Sequence, residues 1–590
     1  MYQRVIVGLL FVFSVACSKS GGGGSGGSGS GGAGTGTGGR SSTPGTGGTA
    51  TTGTGAAGAT GTGGAMTTGT GGTATTGAGG AGTTGTGGMG TTGTGGSTTT
   101  TGNSVLERNN HPSRDGAYVQ PMLTKAMVTK MATDTGFKAT FTGSMRASPL
   151  YLENGPNGKG AFYVASASNN VVALDEATGA MVWTKSVGAA PTANGVSCGD
   201  IHPIGIISTP VIDAQARTIF VAGAVGTSSI MNHQIDALSV DDGTEKSGWP
   251  VDVSKVTSGS IAFTPTPQNQ RSALSLVSGI LYVAYGGHNG DCGTYHGWVV
   301  AVNSANPASV AGWATAGEGD AIWAAGGMAS DGNGVFATTG DNHPRVTTHS
   351  DSEEVIRITG MAVADKSNQN LFYPTEWATM DNTDADFSAN SPVYVQVPDT
   401  AGGTTRTYVV AITKDGSFYV LNSKNLGGIG GQVAKLTIAS GGAMLVHTVP
   451  ASYTTANGVY VTFTTDSGAQ CPAGMPSGTV VMSVLIPPGA TPVPKVIWCA
   501  SIAQAGASGE SGAGSRLPAS PMITTTDGKS EAMVWFMSGG KLTAVDGDSG
   551  KVLYTSSDTC TGIKQWTAPI AVKGRIIAGG DGHLCSWSLH

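Results

Sequence analysis

Charged residues are scarce in this chain of 590 residues: they make up 11% of it, and the formal net charge is −6. A nucleic-acid-binding surface needs a basic stripe, and the sequence contains none. Aromatic residues are also few, at 6%. The apolar run at residues 5–15 is too short to span a bilayer as a helix. The scarcity of positive charge argues against a nucleic-acid partner.

Cysteine motifs that hold cofactors are missing as well. The seven cysteines include no CxxC pair, no CxxCH haem motif and no zinc-finger spacing. A thioredoxin-like redox site, a covalently attached haem and a small structural zinc site are therefore not indicated.

The N-terminus resembles a secretory signal. A short segment with Arg4 precedes the apolar run, and Ser14-Val15-Ala16-Cys17 resembles the lipobox of bacterial lipoproteins, in which Cys17 would be lipidated. Ser14 stands where leucine is usual, so an ordinary cleaved signal is the alternative. Ser18 is not the aspartate that retains such proteins at the inner membrane. We expect a signal peptide at 1–16 and an outer-membrane lipoprotein, periplasmic or surface-exposed.

Residues 17–102 are a low-complexity tether. From Gly21 onward they are almost entirely Gly, Thr, Ala and Ser, with Arg40 as the only charged residue. Such a segment cannot bury enough apolar surface to offset its ordering entropy, so we expect it to be disordered. The remaining residues, 103–590, form the expected globular head.

A strand-turn-strand phrase recurs in the head. Residues 162–183 (FYVASASNNVVALDEATGAMVW) alternate apolar and polar positions between turn formers. Residues 233–249 and 541–554 repeat this sequence pattern. Such repeats of about 40–60 residues predict an all-β fold, a single β-propeller of four-stranded blades.

The number of blades follows from a second recurring phrase, a small residue, proline and an apolar residue. Five copies mark strand starts, at 148–150, 209–211, 391–393, 520–522 and 568–570, and three further units lack the phrase. Eight blades are preferred over seven. Because the last unit is short, an N-terminal strand around residues 137–145 is expected to complete it and close the ring.

Without Cys17, six cysteines remain, which allow fifteen pairings. The pairs that join neighbouring blades or strands of one blade are preferred, with buried free thiols as the alternative: Cys198–Cys292, Cys471–Cys499 and Cys560–Cys585.

Several long motifs resemble a known superfamily. Residues 162–183 are similar to the repeat of the PQQ-like, quinoprotein-alcohol-dehydrogenase-like propellers. Residues 198–223, 269–303 and 321–341 resemble bacterial secreted proteins labelled as a pyrrolo-quinoline quinone family. In the dehydrogenases, the resemblance implies a quinone between a tryptophan and a vicinal disulfide, a calcium ion on oxygen ligands, and an aspartate base. This chain has no adjacent cysteines.

Candidate cofactor residues are Trp298 and Trp323 for stacking, and Asp291 and Asp341 as calcium ligands. Trp313 is a further stacking candidate, and Asn289, Glu318, Asp320 and Asn342 are further oxygen donors. None has a spacing that aligns with the dehydrogenase motif, so blade packing and hairpin turns are the alternative interpretation.

Six of the ten histidines lie between residues 202 and 349. Propeller loops converge near the axis, so His288, His296 and His343 could share a transition metal with an aspartate. Hydrogen bonds that brace loops are the stronger alternative.

Two functions remain open at the level of sequence. The preferred hypothesis is a lipid-anchored binding or scaffold module of the cell envelope with a protein or glycan partner. The alternative is an oxidoreductase that uses PQQ and calcium, which would require an axial tryptophan over a cavity ringed by Asp, Asn and Arg. A channel plugged by apolar side chains would argue against it.

Overall fold

The structure is a computed structural model that describes residues 102–398, 403–442, 444–489, 491–503 and 520–590. The chain divides into two units, Met1–Gly90 and Thr91–His590, and the described residues belong to the second. The expected signal peptide, Cys17 and the tether up to residue 101 lie outside them. No helix in the described ranges is both long and apolar enough to cross a membrane.

The described chain is almost entirely β-structure, arranged as eight blades. The strands before the first blade are β1 (Ala117–Val119), β2 (Met131–Thr133) and β3 (Ala139–Thr140). Blade one has β4 (Leu150–Leu152), β5 (Ala161–Ala165), β6 (Asn170–Asp175) and β7 (Met181–Ser186). Blade two has β8 (Val211–Asp213), β9 (Thr218–Val225), β10 (Asn232–Ser239) and β11 (Val251–Asp252). A hairpin follows, of β12 (Thr257–Ser258) and β13 (Ile261–Ala262).

Blade three has β14 (Gln268–Asn269), β15 (Ser275–Val277), β16 (Ile280–Gly287), β17 (Trp298–Asn303) and β18 (Asn306–Ala314). Blade four has β19 (Ala329–Ser330), β20 (Gly334–Thr338), β21 (Val355–Thr359), β22 (Val363–Ala364), β23 (Leu371–Tyr373) and β27 (Gly428–Ile429). Blade five has β24 (Val393–Pro398), β25 (Thr405–Ile412), β26 (Ser417–Asn422) and β28 (Ala434–Thr437).

Blade six has β29 (Ala451–Thr455), β30 (Gly458–Thr465), β31 (Val480–Ile486) and β32 (Lys495–Ser501). Blade seven has β33 (Met522–Thr525), β34 (Met533–Ser538), β35 (Lys541–Asp546) and β36 (Val552–Thr555). Blade eight has β37 (Ile570–Val572), β38 (Arg575–Gly580) and β39 (His583–Leu589). The helices are α1 (Trp377–Thr383) and three short 3-10 turns, Val128–Lys130, Pro156–Gly158 and Val253–Lys255.

Blade one shows why the repeat folds as it does. Its four strands pair in sequence order as an antiparallel meander. The hairpin of β5 and β6 turns at Asn169, which has a φ of 57°, a conformation that asparagine tolerates better than most residues. β5 is buried along its whole length, whereas β7 is mostly exposed. Inner strands are buried on both faces because each blade packs between two neighbours. Their sequences are therefore runs of apolar residues.

Ring closure follows the expected pattern. β39 pairs with β3 through Ala139 and Leu584, and with β2 through Met131 and Leu589. The strand expected around residues 137–145 is thus confirmed, and β2 supplies a second one. The core cluster that contains Phe162 of blade one also contains Trp587 of blade eight. The predicted all-β propeller is confirmed, and it has eight blades rather than seven.

All three expected disulfides are present. Their Cα–Cα distances are 5.8 Å for Cys198–Cys292, 5.9 Å for Cys471–Cys499 and 6.0 Å for Cys560–Cys585. The alternative of buried free thiols is therefore wrong for these six cysteines.

Residues 105–120, which we name the N-terminal plug, hydrogen-bond to all eight blades in turn. Val105 pairs with Tyr151 of blade one, and β1 runs parallel to β33 of blade seven. The intervening and final partners, from blades two to six and eight, are Ile212, Ser275, Ser330, Tyr394, Ser452 and Ala571. These residues lie on the first strands of their blades, so the plug passes all eight blades in turn and closes one end of the channel.

Candidate functional site

A cavity of about 90 Å³ lies on the axis above the plug. Its walls come from two kinds of loop, those that lead into innermost strands and those that follow the second strand of a blade. Trp566 separates the cavity from the plug, because its ring lines the cavity while its carbonyl oxygen accepts a hydrogen bond from Arg108. Trp566 has a φ of 64°, a left-handed conformation that is uncommon for a bulky residue.

Three carboxylates meet in the cavity wall. Asp341, Asp384 and Asp386 each offer an oxygen atom, and these atoms lie within 4.8 Å of one another. Asp386 is 3% exposed, and within the described ranges its Oδ1 has no hydrogen-bond partner. This set suits a hard cation such as Ca²⁺, which takes oxygen ligands.

Local sequence explains how two distant loops reach this point. Asp384 ends α1 in the left-handed conformation, with a φ of 57°, where an aspartate is tolerated. On the other loop, Gly340 precedes Asp341. A Cβ atom at Gly340 would lie 2.7 Å from Ser388 Oγ and 3.2 Å from Asp386 Oδ2. A glycine therefore allows the two loops to approach closely, and a side chain there would displace Ser388 or Asp386.

Lys414 is the cation closest to the carboxylates. Its Nζ lies 2.8 Å from Asp386 Oδ2 and also contacts Asp384. Burial would raise the pKa of Asp386, but the charge and hydrogen bond of Lys414, with His447 and the Trp323 indole, lower it overall. Burial, together with the charges of Asp386, Asp291 and Asp384, raises the pKa of Asp341 to about 9. One lysine therefore leaves this group of carboxylates with excess negative charge.

Two tryptophans and an arginine form the apolar side of the cavity. The Arg271 guanidinium carbon lies 5.6 Å from the ring centroid of Trp323 and 5.1 Å from that of Trp566. The two rings meet edge to face, with centroids 6.0 Å apart. Lys414 Nζ lies 5.2 Å from the Trp323 centroid. Both cations thus lie against Trp323, at cation–π distances.

The structure brings together three of the four cofactor candidates. Asp291, Trp323 and Asp341 line the cavity. Trp298 does not: it is fully buried in the core between blades two and three, with its ring 5.5 Å from that of Phe263. Asn289 also lines the cavity, whereas Asp320 and Asn342 bond to each other behind it.

Two of the three histidine candidates are held by backbone carbonyls. His288 lines the cavity, but its Nε2 lies 3.1 Å from Thr266 O. His296 Nδ1 lies 2.7 Å from Gly317 O. Across the described ranges, neither of these residues nor His343 belongs to a group of three metal ligands. The other such group consists of His583 and the disulfide-bonded Cys560 and Cys585.

Sequence reasoning missed many residues of the cavity, among them Arg271, Asp384, Asp386, Lys414, His447 and Trp566. The position of a residue relative to the small-Pro-apolar phrase could have indicated three of them, Asp384, Asp386 and Trp566. Residues just upstream of the small-Pro-apolar phrase enter the cavity, as Asp384 and Asp386 do before residues 391–393 and Trp566 before residues 568–570. Lys414, in a turn after β25, carries no comparable signal.

The described head resembles solved propellers, whereas no family model and no curated protein matches the chain. A quinohemoprotein alcohol dehydrogenase from Comamonas testosteroni shares 14% identity with it, at a TM-score of 0.55 over 82% of this chain and 80% of that one. A second, from Pseudomonas putida HK5, shares 11% at a TM-score of 0.52 over the same fractions. BamB from Moraxella catarrhalis shares 13% at a TM-score of 0.42, over 76% and 99%.

Identities this low establish the fold alone. The head is an eight-bladed β-propeller, and its fold is similar to that of the quinohemoprotein alcohol dehydrogenases.

Proposed function

We propose that the chain is an oxidoreductase that uses a PQQ-type quinone and a divalent cation to oxidise a small alcohol-type substrate. The observation that carries this proposal is the axial cavity, where Trp323 lies beside the carboxylates of Asp341, Asp384 and Asp386. Asp, Asn and Arg side chains ring that cavity. The channel is therefore not plugged by apolar side chains at this point. These are the features that the alternative hypothesis required.

The cation fits the residues present. Asp341, Asp384 and Asp386 would hold it, since their oxygen atoms converge and Asp386 Oδ1 is buried without a hydrogen-bond partner among the described residues. A divalent cation would also offset the excess negative charge that one lysine leaves. Lys414 would then keep its contact with Asp386 Oδ2 while the cation takes Oδ1.

The quinone does not fit the cavity as the structure has it, although some of the lining residues suit it. Trp323 offers a ring face for stacking, and Arg271 and Lys414 match the carboxylates of an acidic quinone. However, a cavity of about 90 Å³ is smaller than the 300 Å³ or more of ordinary ligand sites. Arg271 must therefore move off Trp323 when the quinone binds. When bound, a quinone supplies a two-electron acceptor, and the protein supplies position and charge.

A second candidate is the binding or scaffold module, with an envelope protein or a glycan as its partner. The observation that favours it is the same Arg271: if the guanidinium stays between Trp323 and Trp566, the cavity admits a cation but no ring system. The carboxylates would then hold a structural cation, and the partner would bind elsewhere on the propeller.

The proposed location is the cell envelope. Cys17 would carry the lipid, residues 17–102 would form the tether, and the head would lie in the periplasm or at the surface. The three disulfides support an oxidising compartment.

A titration separates the two functions. The full-length chain, produced in an oxidising compartment, is titrated with PQQ in the presence and absence of CaCl₂, and binding is followed by absorbance and melting temperature. Saturable, calcium-dependent quinone binding with a raised melting temperature is expected. Calcium binding without quinone binding would contradict the oxidoreductase and favour the binding module.

Trp323→Ala and Trp298→Ala are the matched variants for this titration. Loss of stacking at Trp323 should weaken quinone binding by at least tenfold. Trp298 lies in the core, so its replacement should lower stability and leave the quinone affinity of the folded fraction unchanged.

A further inference from the structure

The Cys198–Cys292 disulfide forms part of the wall of the axial cavity. It joins two loops that both supply lining residues, 198–201 and 287–292, which we name the wall loops. A Cβ atom at Gly290, which lines the cavity, would lie 3.1 Å from Cys198 Cβ and 3.5 Å from Cys198 Sγ. The disulfide therefore packs directly behind the lining residues.

The wall loops separate the cavity from solvent. Asn289 and Gly290 both line the cavity and are also exposed. Besides the disulfide, hydrogen bonds join the loops, from Gly199 N to Asn289 O at 2.9 Å and from Asn289 Nδ2 to Asp200 Oδ2 at 3.3 Å. Water competes for these bonds because Asn289 is exposed, so the covalent bond is the firmest link between the loops.

The wall disulfide is accessible from solvent. Among the three disulfides of the described residues, it is the one in which neither cysteine is buried, since Cys198 and Cys292 are both half-buried. Each of the other pairs has a buried member, Cys499 at 4% and Cys560 at 2% exposure. Thiol–disulfide exchange requires a thiolate to reach a sulfur atom, so access limits its rate. A thiol reductant therefore reacts first at the wall disulfide.

Hydrogen-bond donors contact both sulfur atoms of this bond. Cys292 N lies 3.1 Å from Cys198 Sγ, and Ser197 Oγ lies 3.3 Å from Cys292 Sγ. A thiolate is the leaving group in exchange, and a donor beside the sulfur stabilises its negative charge. Each of the two sulfur atoms can therefore leave as a stabilised thiolate.

We propose that the Cys198–Cys292 bond is a thiol–disulfide exchange site, whose reduction loosens the wall loops and opens the axial cavity. A thiolate of a dithiol reductant attacks Cys292 Sγ, the S–S bond breaks, and Cys198 leaves as a thiolate that accepts the Cys292 N–H. The second thiol of the reductant loses its proton to water and attacks the mixed disulfide, which releases Cys292 as a thiolate beside the Ser197 hydroxyl. Two electrons pass from the dithiol to the protein, the reductant becomes a disulfide, and the two protons that the dithiol gave up return to the cysteines.

This site goes beyond the proposed function and requires no quinone. The carboxylates of Asp341, Asp384 and Asp386 lie outside the wall loops. A cation bound there can therefore report access to the cavity in both redox states, and only this readout depends on the proposed cation site.

Differential alkylation of the full-length wild type tests the exchange site. The protein is treated with limiting dithiothreitol, new thiols are blocked with iodoacetamide, and the labelled peptides are quantified by mass spectrometry. Cys198 and Cys292 should be labelled at least about tenfold faster than the other four disulfide-bonded cysteines. Equal rates for the three pairs would overturn the exchange site.

Hydrogen–deuterium exchange tests the loosening of the wall. Cys198→Ser with Cys292→Ser imitates the reduced state, and Cys471→Ser with Cys499→Ser is the matched control, because neither of these two cysteines lines the cavity. Exchange in the wall loops should rise about tenfold in the first variant and in the reduced wild type, and stay within about twofold in the control. Unchanged exchange in the reduced wild type, or a rise spread over all blades, would overturn the proposal.

Terbium, a luminescent substitute for calcium excited through Trp323, measures access to the cavity. Its rates of entry and release should be about tenfold faster after reduction, and within about twofold of wild type in the control variant. Wall loops that loosen without faster terbium entry would overturn the opening of the cavity. A wild type that binds no terbium in either state would overturn the cation site of the proposed function, and hydrogen exchange would still decide this inference.

Discussion

At the plug end of the axis, Arg114 is fully buried, and its five N–H groups make five hydrogen bonds, one of them to Glu107. At the cavity end, Asp341, Asp384 and Asp386 converge on one lysine, and Asp386 Oδ1 has no hydrogen-bond partner in the described residues. A buried charge with every partner supplied by the chain is structural. A buried charge that lacks some of its partners indicates that a ligand or ion from outside the chain supplies them.

Burial acts in the same direction on carboxyl groups of both regions. It raises the pKa of Glu107, and Arg114, with 2.9 Å between Oε2 and NH1, offsets part of the rise. Behind the cavity, burial likewise raises the pKa of Glu354 to about 8, and Lys366 only partly offsets this. The regions differ in the partners that the chain supplies, since Arg114 makes five hydrogen bonds whereas Asp386 Oδ1 has none among the described residues.

The largest effect is expected at the plug. Arg114→Met leaves the Glu107 carboxylate buried without its partner and breaks contacts with blades three and four. Removing one member of a buried ion pair costs about 3–5 kcal/mol. Urea denaturation measures the loss. The control is Arg217→Met, which breaks the exposed ion pair with Asp241 and should cost less than about 1 kcal/mol. Equal losses in both variants would refute a special role for the plug.

The cavity end should respond to added cation instead. At a calcium concentration of 100 times Kd, a single site stabilises the fold by about 2.7 kcal/mol. Asp341→Asn should remove most of this gain and leave the cation-free stability nearly unchanged, because the raised pKa keeps Asp341 protonated at neutral pH. Melting temperatures with and without CaCl₂ provide the measurement.

Asp213→Asn serves as the control for Asp341→Asn. Asp213 caps a turn outside the cavity, where its Oδ1 accepts a bond from Ala216 N. This variant should keep the full response to calcium. A wild type with no response would count against the cation site.

The smallest expected effect is a pH dependence of the folding stability, caused by Glu354 behind the cavity. Burial raises the pKa of Glu354 from about 4.5 to about 8, so the folded protein keeps this proton while the unfolded chain releases it. Stability is therefore lost as the pH rises through that window. Each pKa unit is worth about 1.36 kcal/mol, and Lys366, with Nζ 3.6 Å from Oε1, offsets part of it. Glu354→Gln should gain about 2 kcal/mol at pH 9 relative to wild type and little at pH 5.

Denaturation curves at pH 5, 7 and 9 test this expectation, with Glu531→Gln as the control. Glu531 is exposed, and its carboxylate accepts a bond from Lys125 N. Parallel pH profiles for wild type and Glu354→Gln would mean that the Glu354 carboxylate is ionised in the fold.

Much of the fold could be predicted from local patterns. The alternation in residues 162–183 corresponds to β5, β6 and β7, and the short last unit correctly indicated an N-terminal closing strand. The cysteine pairs followed from their positions in the blades. Such features are determined by neighbours along the chain or by the repeat itself.

The cavity was only partly predictable. Asp291, Trp323 and Asp341 were candidates by residue type, but Trp298 shared that type and is core. Whether a tryptophan faces the axis or a neighbouring blade depends on its place in the blade, and residue type does not encode that. Residue type also does not reveal which loops converge at the axis. The choice between a binding module and an oxidoreductase therefore could not be made from sequence.

The sequence by itself determined the β-propeller fold, because strand alternation, turn residues and repeat spacing act over a few residues. It also favoured eight blades over seven and the observed disulfide pairs over their alternatives. Only the tertiary structure decided how the axis is used. It placed the plug at one end, and it brought Asp341, Asp386, Lys414 and His447 together from four separate segments at the other. Their meeting depends on ring closure, which brings loops of several blades to a common centre.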